Sequence, residues 1–191
     1  MKTLITSSHR TKEKPVELKN RRTFILMWNP KISSYSQTEF DCDLYRLSNE
    51  EDIKLDWSIA EWREARKGDN FYMVKVGKGK CGVVMSGTFK SKPHLGQDWR
   101  DGKREKILYV DLKIKHMILP QRCPLLTTKK LSEAIPDFEW SGGSSGRLLS
   151  SEQAEKLDNL WVEYLDKHYY LFLPRAAEAI DKRKRDCILV D

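Results

Sequence analysis

The middle of the chain constrains the fold most, because it contains three β-prone runs within 50 residues. Phe71–Val76 and Gly82–Phe89 are separated by Gly77-Lys78-Gly79-Lys80, a composition typical of a hairpin turn. In the third run, Ile107–Leu119, apolar and polar residues alternate, as expected for a strand with one buried face. With short helices predicted on either side, the pattern indicates an α+β fold built on a small curved sheet or barrel.

A shorter apolar run, Phe24–Trp28, predicts another strand, which Asn29 and Pro30 end abruptly. We therefore expect the Trp28 indole near the mouth of the sheet, beside a polar amide. A flat ligand could stack on an indole in such a place. The alternative is that Trp28 is simply the last core residue of its strand.

Three capping patterns predict helices. Ser36-Gln-Thr-Glu39 and Ser58-Ile-Ala-Glu61 each precede a short helical pattern. Ser150-Ser-Glu-Gln153 precedes a longer one, whose apolar stripe runs from Ala154 to Leu165. Residues 120–136 are expected to be irregular.

The net charge of +7 is concentrated in the tails. Residues 1–22 carry +5, residues 182–191 carry +2, and the intervening part is neutral. We expect residues 1–22 to form a flexible basic arm. Bulk basicity therefore does not by itself indicate a nucleic-acid-binding body. Residues 70–97 are locally rich in lysine, however, and a lysine-lined hairpin would suit a phosphate backbone.

Several classes of function lack support in the sequence. The four cysteines are widely spaced and the four histidines are isolated, so we expect no metal site and no catalytic set. The Gly-rich runs lack the Lys-Ser/Thr of a phosphate loop, and we expect no cofactor. No apolar run approaches the ~20 residues of a membrane span. These features predict a non-enzymatic cytoplasmic protein with reduced thiols.

Tryptophan recurs beside small polar residues in three loops, at Trp28-Asn29-Pro30, Asp56-Trp57-Ser58 and Trp140-Ser141-Gly142. A flat apolar wall and a few hydrogen-bonding groups are what recognition of a flipped base requires. Loops at one end of a barrel converge, which would bring the three together. The alternative, that two of these indoles are core and the third is a surface accident, is equally open.

The motifs FILMWNPK, DWSIAEWREARKGDNFYMVKVG, GVVMSGTF, ILYVDLKIKHMI and FEWSGGSSGRLL occur in this order. Together they resemble the EVE-like domains of the PUA-like superfamily, which includes kin of the YTH and ASCH domains. The resemblance covers residues 23–166 and leaves 167–191 as a C-terminal extension, partly helical. It implies a PUA-like curved β-barrel of about five to six strands decorated by short α-helices.

The resemblance also implies a pocket that accepts one flipped base, modified or unmodified, from DNA or RNA. By motif, the predicted nucleic-acid-binding residues are Trp28, Asn29, Pro30, Trp57, Ser58, Arg63, Trp140, Ser144 and Gly146. Lys75, Lys78 and Lys90 are expected to hold the backbone. Bacterial members often accompany nuclease or helicase modules, which implies a role in defence, either as a free-standing sensor or with such a partner supplied in trans. The alternative is a non-enzymatic protein-interaction or regulatory subunit of a restriction or defence complex.

Overall fold

The structure is a computed structural model that describes residues 21–100 and 106–172. In chain order its strands are β1 Thr23–Trp28, β2 Asp56–Ser58, β3 Asn70–Lys75, β4 Gly82–Phe89, β5 His94–Gly96, β6 Ile107–Met117, β7 Leu126–Thr127 and β8 Arg147–Leu148. The helices are α1 Gln37–Ser48, α2 Thr128–Ala134 and α3 Ser151–Lys167, followed by a 3₁₀ turn at Tyr169–Phe172. The predicted β4 is confirmed at both ends, and the long third run is confirmed as β6.

The eight strands of the described residues form one curled, mixed sheet. Its main path runs β2-β6-β4-β3-β1-β8, while β5 pairs with β6 and β7 pairs with β4. Only β1 and β3 pair in parallel among these strands. The architecture confirms the predicted α+β fold with a curved, barrel-like sheet.

Strand β1 is buried on both faces, which explains its unbroken apolar sequence. Phe24, Leu26 and Trp28 point into the interior core, where α1 adds Phe40. Ile25 and Met27 point the other way, into a second core beneath α3. The sheet therefore separates two hydrophobic cores, and a residue's position in a strand decides which core it joins.

Two of the three capping predictions are confirmed. Ser36 caps α1 and Ser150 caps α3, each in a reciprocal capping box with the residue three positions on. Helix α2 occupies part of the segment expected to be irregular, so that expectation is wrong for residues 128–134. Its N-cap Thr127 accepts a hydrogen bond from the backbone N–H of Lys130, the usual way of satisfying a free donor at a helix start.

The helix predicted after Ser58 is wrong. Residues 56–58 form β2, paired with β6, and the chain then continues in turns. The backbone N–H groups of Ala60 and Glu61 donate to the carbonyls of Ser145 and Gly146, at 2.9 and 3.1 Å. The Glu61 carboxylate accepts from the backbone N–H of Leu148 at 2.9 Å instead of capping a helix. Contacts with a distant loop thus replace the local helix.

The proposed domain limits at 22, 166 and 167 stay predictions. Residues 1–20 and 173–191, which hold most of the basic arm and of the C-terminal extension, lie outside the described residues. Packing against the second core continues to Phe172. Within the described ranges, no helix is both long and apolar enough to cross a membrane.

His116 gives the fold a predicted pH dependence. Its Nδ1 lies 3.0 Å from Ser86 Oγ, and its ring packs edge-on against Trp161 and Phe172. Burial, helped by the charge of Lys115, lowers the pKa of His116 below its ordinary value of 6.5. On acidification the unfolded chain therefore takes up this proton first, so the free energy of unfolding is expected to fall as the pH drops through that value.

Urea unfolding at about pH 7.5 and about pH 5 measures this contribution. Other groups titrate in the same window, so the informative quantity is the difference between the wild type and His116→Gln. The amide retains a hydrogen-bonding partner for Ser86 but does not titrate. The variant should lose less stability between the two pH values; an equal loss would contradict the assignment.

Candidate functional site

A cavity of about 700 Å³ opens at the sheet edge where β1 and β3 end. Because these strands are parallel and in register, with Trp28 opposite Lys75, the segments that follow them leave the sheet at the same edge. The loop at residues 141–145 and the segment at 96–100 complete the walls. The cavity size lies within the ~300–1,000 Å³ that is usual for ligand sites.

The cavity walls combine rings with uncharged hydrogen-bonding groups. Four aromatic side chains line it: Tyr35, Trp57, Trp99 and Tyr109. The polar lining residues are Asn29, Ser33, Ser34, Ser58, Gln97, Ser141, Ser144 and Ser145, and the charged ones are Glu39, Asp56 and Arg100. With two carboxylates and one guanidinium, the lining suits an uncharged ring better than a phosphate.

Trp57 and Tyr35 form a fixed aromatic corner. Their ring centroids are 6.0 Å apart and the planes are nearly perpendicular, at 85°. The Tyr35 hydroxyl donates to Asp43 Oδ2 at 2.9 Å, away from solvent. Burial and the neighbouring Asp43 carboxylate raise the pKa of Tyr35, so the hydroxyl stays protonated. Tyr35 is therefore a neutral ring with its polar end already satisfied.

Ser145 is the hydrogen-bonding centre of the site. Its Oγ accepts from the backbone N–H of Met27 at 2.9 Å and from Trp57 Nε1 at 2.8 Å. A hydroxyl oxygen has two lone pairs and one hydrogen to donate. Both acceptor positions are thus occupied, and within the described residues no acceptor for the hydroxyl hydrogen is found. Ser145 is left as a donor on the cavity wall.

Arg147 holds the loop that carries Ser145. Its Nη2 donates to the carbonyls of Glu139 and Gly142, at 2.5 and 2.9 Å. The guanidinium also lies 4.2 Å from the centre of the Phe138 ring. These contacts fix both ends of the glycine- and serine-rich loop, so the loop wall of the cavity is largely preformed.

The structure does not bring the three predicted tryptophans together. Trp28 is fully buried in the interior core, stacked on Phe40 at 4.7 Å, with its Nε1 donating to the Tyr35 carbonyl. Trp140 is buried in the second core, across the sheet, and its Nε1 donates to the Ile135 carbonyl. Both indoles are therefore core residues, as in the alternative interpretation of the tryptophan loops given in the sequence analysis. Trp57 alone of the three lines the cavity.

Four predicted site residues do meet at the cavity, namely Asn29, Trp57, Ser58 and Ser144. Pro30 and Gly146 lie beside it without lining it. Gly146 is buried with φ +79°, and its backbone supports the turn at residues 59–61. Its role is therefore to shape the loop rather than to present a side chain.

The predicted basic residues are dispersed. The Lys75 ammonium is buried and donates to the carbonyls of Lys78 and Lys80, both at 3.0 Å, so it closes the hairpin instead of meeting a phosphate. Lys90 pairs with Asp52 at 3.2 Å, outside the cavity lining. Lys78 is exposed and follows Gly77, a lining residue. Arg63 lies over the Trp62 ring, outside the cavity.

Sequence reasoning missed Tyr35, Trp99, Tyr109 and Ser145. Ser145 sits between two residues that the motif did select, so its serine-rich loop was a usable signal. Tyr109 alternates with the apolar positions of β6, yet it is only 8% exposed, and its hydroxyl donates to the Gln97 carbonyl at 2.6 Å. Among the described residues, no three His, Cys, Asp or Glu side chains cluster as metal ligands would.

Comparison with known proteins shows the fold class. A structural-genomics protein from Pseudomonas putida matches with a TM-score of 0.50 and 12% identity, over 72% of this chain and 98% of that protein. A hypothetical protein from Leishmania major gives 0.49 and 11%, over 76% and 97%. The YTH domain-containing protein Mmi1 in complex with RNA gives 0.43 and 11%, over 78% and 86%. At this identity the likeness concerns the fold alone.

No protein-family model matches the chain, and no curated protein sequence is significantly similar to it. The α+β fold with a curved sheet is thus supported by structure, whereas membership of the PUA-like superfamily and of its EVE-like family stays a prediction.

Proposed function

We propose that the 700 Å³ cavity described above, called here the barrel-end cavity, accepts one unpaired nucleobase of DNA or RNA, modified or unmodified. In this proposal the protein is a binding module rather than an enzyme. The observation that carries the proposal is the meeting of Trp57 and Tyr35 with uncharged hydrogen-bonding groups in one preformed cavity. Base recognition outside a duplex uses aromatic walls for stacking and a few polar groups for the base edge.

In this arrangement Trp57 supplies the stacking wall, and Ser145 donates its hydroxyl hydrogen to an acceptor on the base. Asn29 offers a second donor: its Oδ1 accepts from the backbone N–H of Lys31 at 3.2 Å, which leaves the amide NH₂ for the ligand. Ser58 and Ser144 supply further edge contacts. The phosphates stay outside, where Lys78 is exposed beside the cavity mouth.

The direct test measures binding of nucleosides and of short single-stranded DNA and RNA, by tryptophan fluorescence and by anisotropy of labelled strands. Each should be tried with modified and unmodified bases at about 50 mM salt, where phosphate contacts bind tightly. We expect nucleosides to bind and ribose phosphate alone not to bind. Absence of binding to every strand and nucleoside would overturn the proposal and favour a protein-interaction module.

The variant Asn29→Asp tests the polar edge with little change in shape. It keeps Oδ1 as the acceptor for Lys31 but replaces the donating NH₂ by a charged oxygen. We expect the affinity for nucleosides to fall about tenfold, the effect of losing ~1.4 kcal/mol from one hydrogen bond and gaining repulsion. Asn159→Asp adds the same charge at an exposed position on α3 and should leave the affinity unchanged. Equal affinities for both variants would contradict the role of Asn29.

A further inference from the structure

A second depression adjoins the barrel-end cavity. This groove, called here the Trp62 groove, has a volume of about 360 Å³. It shares five wall residues with the cavity, which are Ser58, Trp99, Arg100, Ser144 and Ser145. The two spaces therefore adjoin each other at these five residues.

Large apolar side chains in the Trp62 groove are exposed to solvent to an unusual degree. Trp62 is 39% exposed and Leu95 is 64% exposed, although both belong to residue types that are usually buried. Trp99 stands at the boundary with the cavity. Three large apolar side chains thus line the groove, and one of them, Trp99, also lines the cavity.

Positive charge accompanies both indoles. The Arg63 guanidinium carbon lies 4.8 Å from the centre of the Trp62 ring, and that of Arg100 lies 4.7 Å from the centre of the Trp99 ring. Lys106 also lines the groove, and Asp98 is the one acidic residue among its described lining residues. Proteins that bind single-stranded nucleic acid combine aromatic faces with basic groups, since the bases stack on the rings while the cations bind the phosphates.

From these features we infer that the Trp62 groove holds the nucleotide next to the one whose base occupies the cavity. The ligand would then be a single strand, read as two consecutive nucleotides. Trp62 stacks the second base, and Arg63 and Arg100 hold the phosphates on either side of it. This inference rests on the proposed function but concerns a different set of residues, so the two can fail separately.

The test compares a mononucleotide with a dinucleotide on the full chain. Trp62→Ala should weaken dinucleotide binding about 5- to 150-fold, the usual effect of losing one stacked base, and should leave mononucleotide binding unchanged. Trp62 is partly exposed, so the variant should fold. Tyr45→Ala removes another exposed ring, on α1, and should change neither affinity.

Arg63→Ala allows a second measurement, the salt dependence of the affinity, which the loss of a stacked base would not change. For single strands, each lost phosphate contact lowers the slope of log affinity against log salt by about 0.7. We expect that reduction for oligonucleotides with Arg63→Ala and none with Trp62→Ala.

The outcomes separate the two proposals. If mononucleotides bind but Trp62→Ala leaves dinucleotide affinity unchanged, the inference fails and the cavity proposal stands. If the wild type binds neither, both fail. A different result would assign the groove to a protein partner and overturn the inference. In that case a leucine-rich peptide would bind the wild type, bind Trp62→Ala more weakly, and not be displaced by a dinucleotide.

Discussion

Replacing Gly146 with alanine is expected to lower the free energy of unfolding by about 2–5 kcal/mol. The residue has φ +79°, a conformation that costs an L-residue with a side chain roughly 1–2 kcal/mol. An added Cβ would also lie 2.5 Å from Ile59 Cα and 2.9 Å from the backbone nitrogen of Ala60. Backbone atoms cannot rotate away, so the loop must separate from the turn at residues 59–61.

That separation would also damage the cavity, because Ser145 precedes Gly146 and bonds to Trp57. We therefore expect nucleoside binding to weaken together with stability. Urea unfolding and nucleoside titration measure the two effects. The matched control is Gly142→Ala in the same loop, where an added Cβ meets nothing within 4 Å. If both alanine variants are as stable as the wild type, the described loop packing is wrong.

Replacing Trp57 with leucine is expected to weaken nucleoside binding about 5- to 150-fold, because a stacked base contributes ~1–3 kcal/mol. Leucine retains apolar volume in a position that is only 8% exposed, so it costs less stability than alanine would. It removes the flat face on which the proposed base stacks.

Trp57→Phe is the matched control for this change. Phenylalanine keeps an aromatic face but loses the Nε1 donor to Ser145, so both variants disturb that hydrogen bond equally. We expect Trp57→Phe to bind nucleosides within a few-fold of the wild type. Thermal unfolding followed by circular dichroism establishes that each variant is folded at the titration temperature. Equal affinities of the leucine and phenylalanine variants would refute stacking on Trp57.

Of the eight strands in the described residues, β1, β3, β4 and β6 could be predicted from the sequence because their signals are local, whereas the two- and three-residue strands β2, β5, β7 and β8 were not predicted. Alternation along Ile107–Met117 and the glycine turn before Gly82 each depend on neighbouring residues. The helix expected after Ser58 failed for the opposite reason: its capping pattern is local, but its backbone donors bond to a loop more than 80 residues away.

The site was predicted less completely than the fold. Periodicity shows that Trp28 and Trp140 are apolar positions, but it does not show which of two cores each joins. Only the three-dimensional sheet places them on opposite faces. Ser145 was missed because its importance comes from a hydrogen bond to Met27, 118 residues earlier in the chain, which no short motif encodes.

The long reach of the Ser145 contacts has a consequence for folding. The hydrogen bonds to Met27 and Trp57 span 118 and 88 residues, so the cavity exists only after distant parts of the chain have met. Contacts between residues so far apart in the chain carry a large loop-closure entropy cost. A ligand held there therefore binds the completed barrel and not a partly folded one. By mass action it stabilises the whole unit, by ~2.7 kcal/mol at one hundred times its Kd.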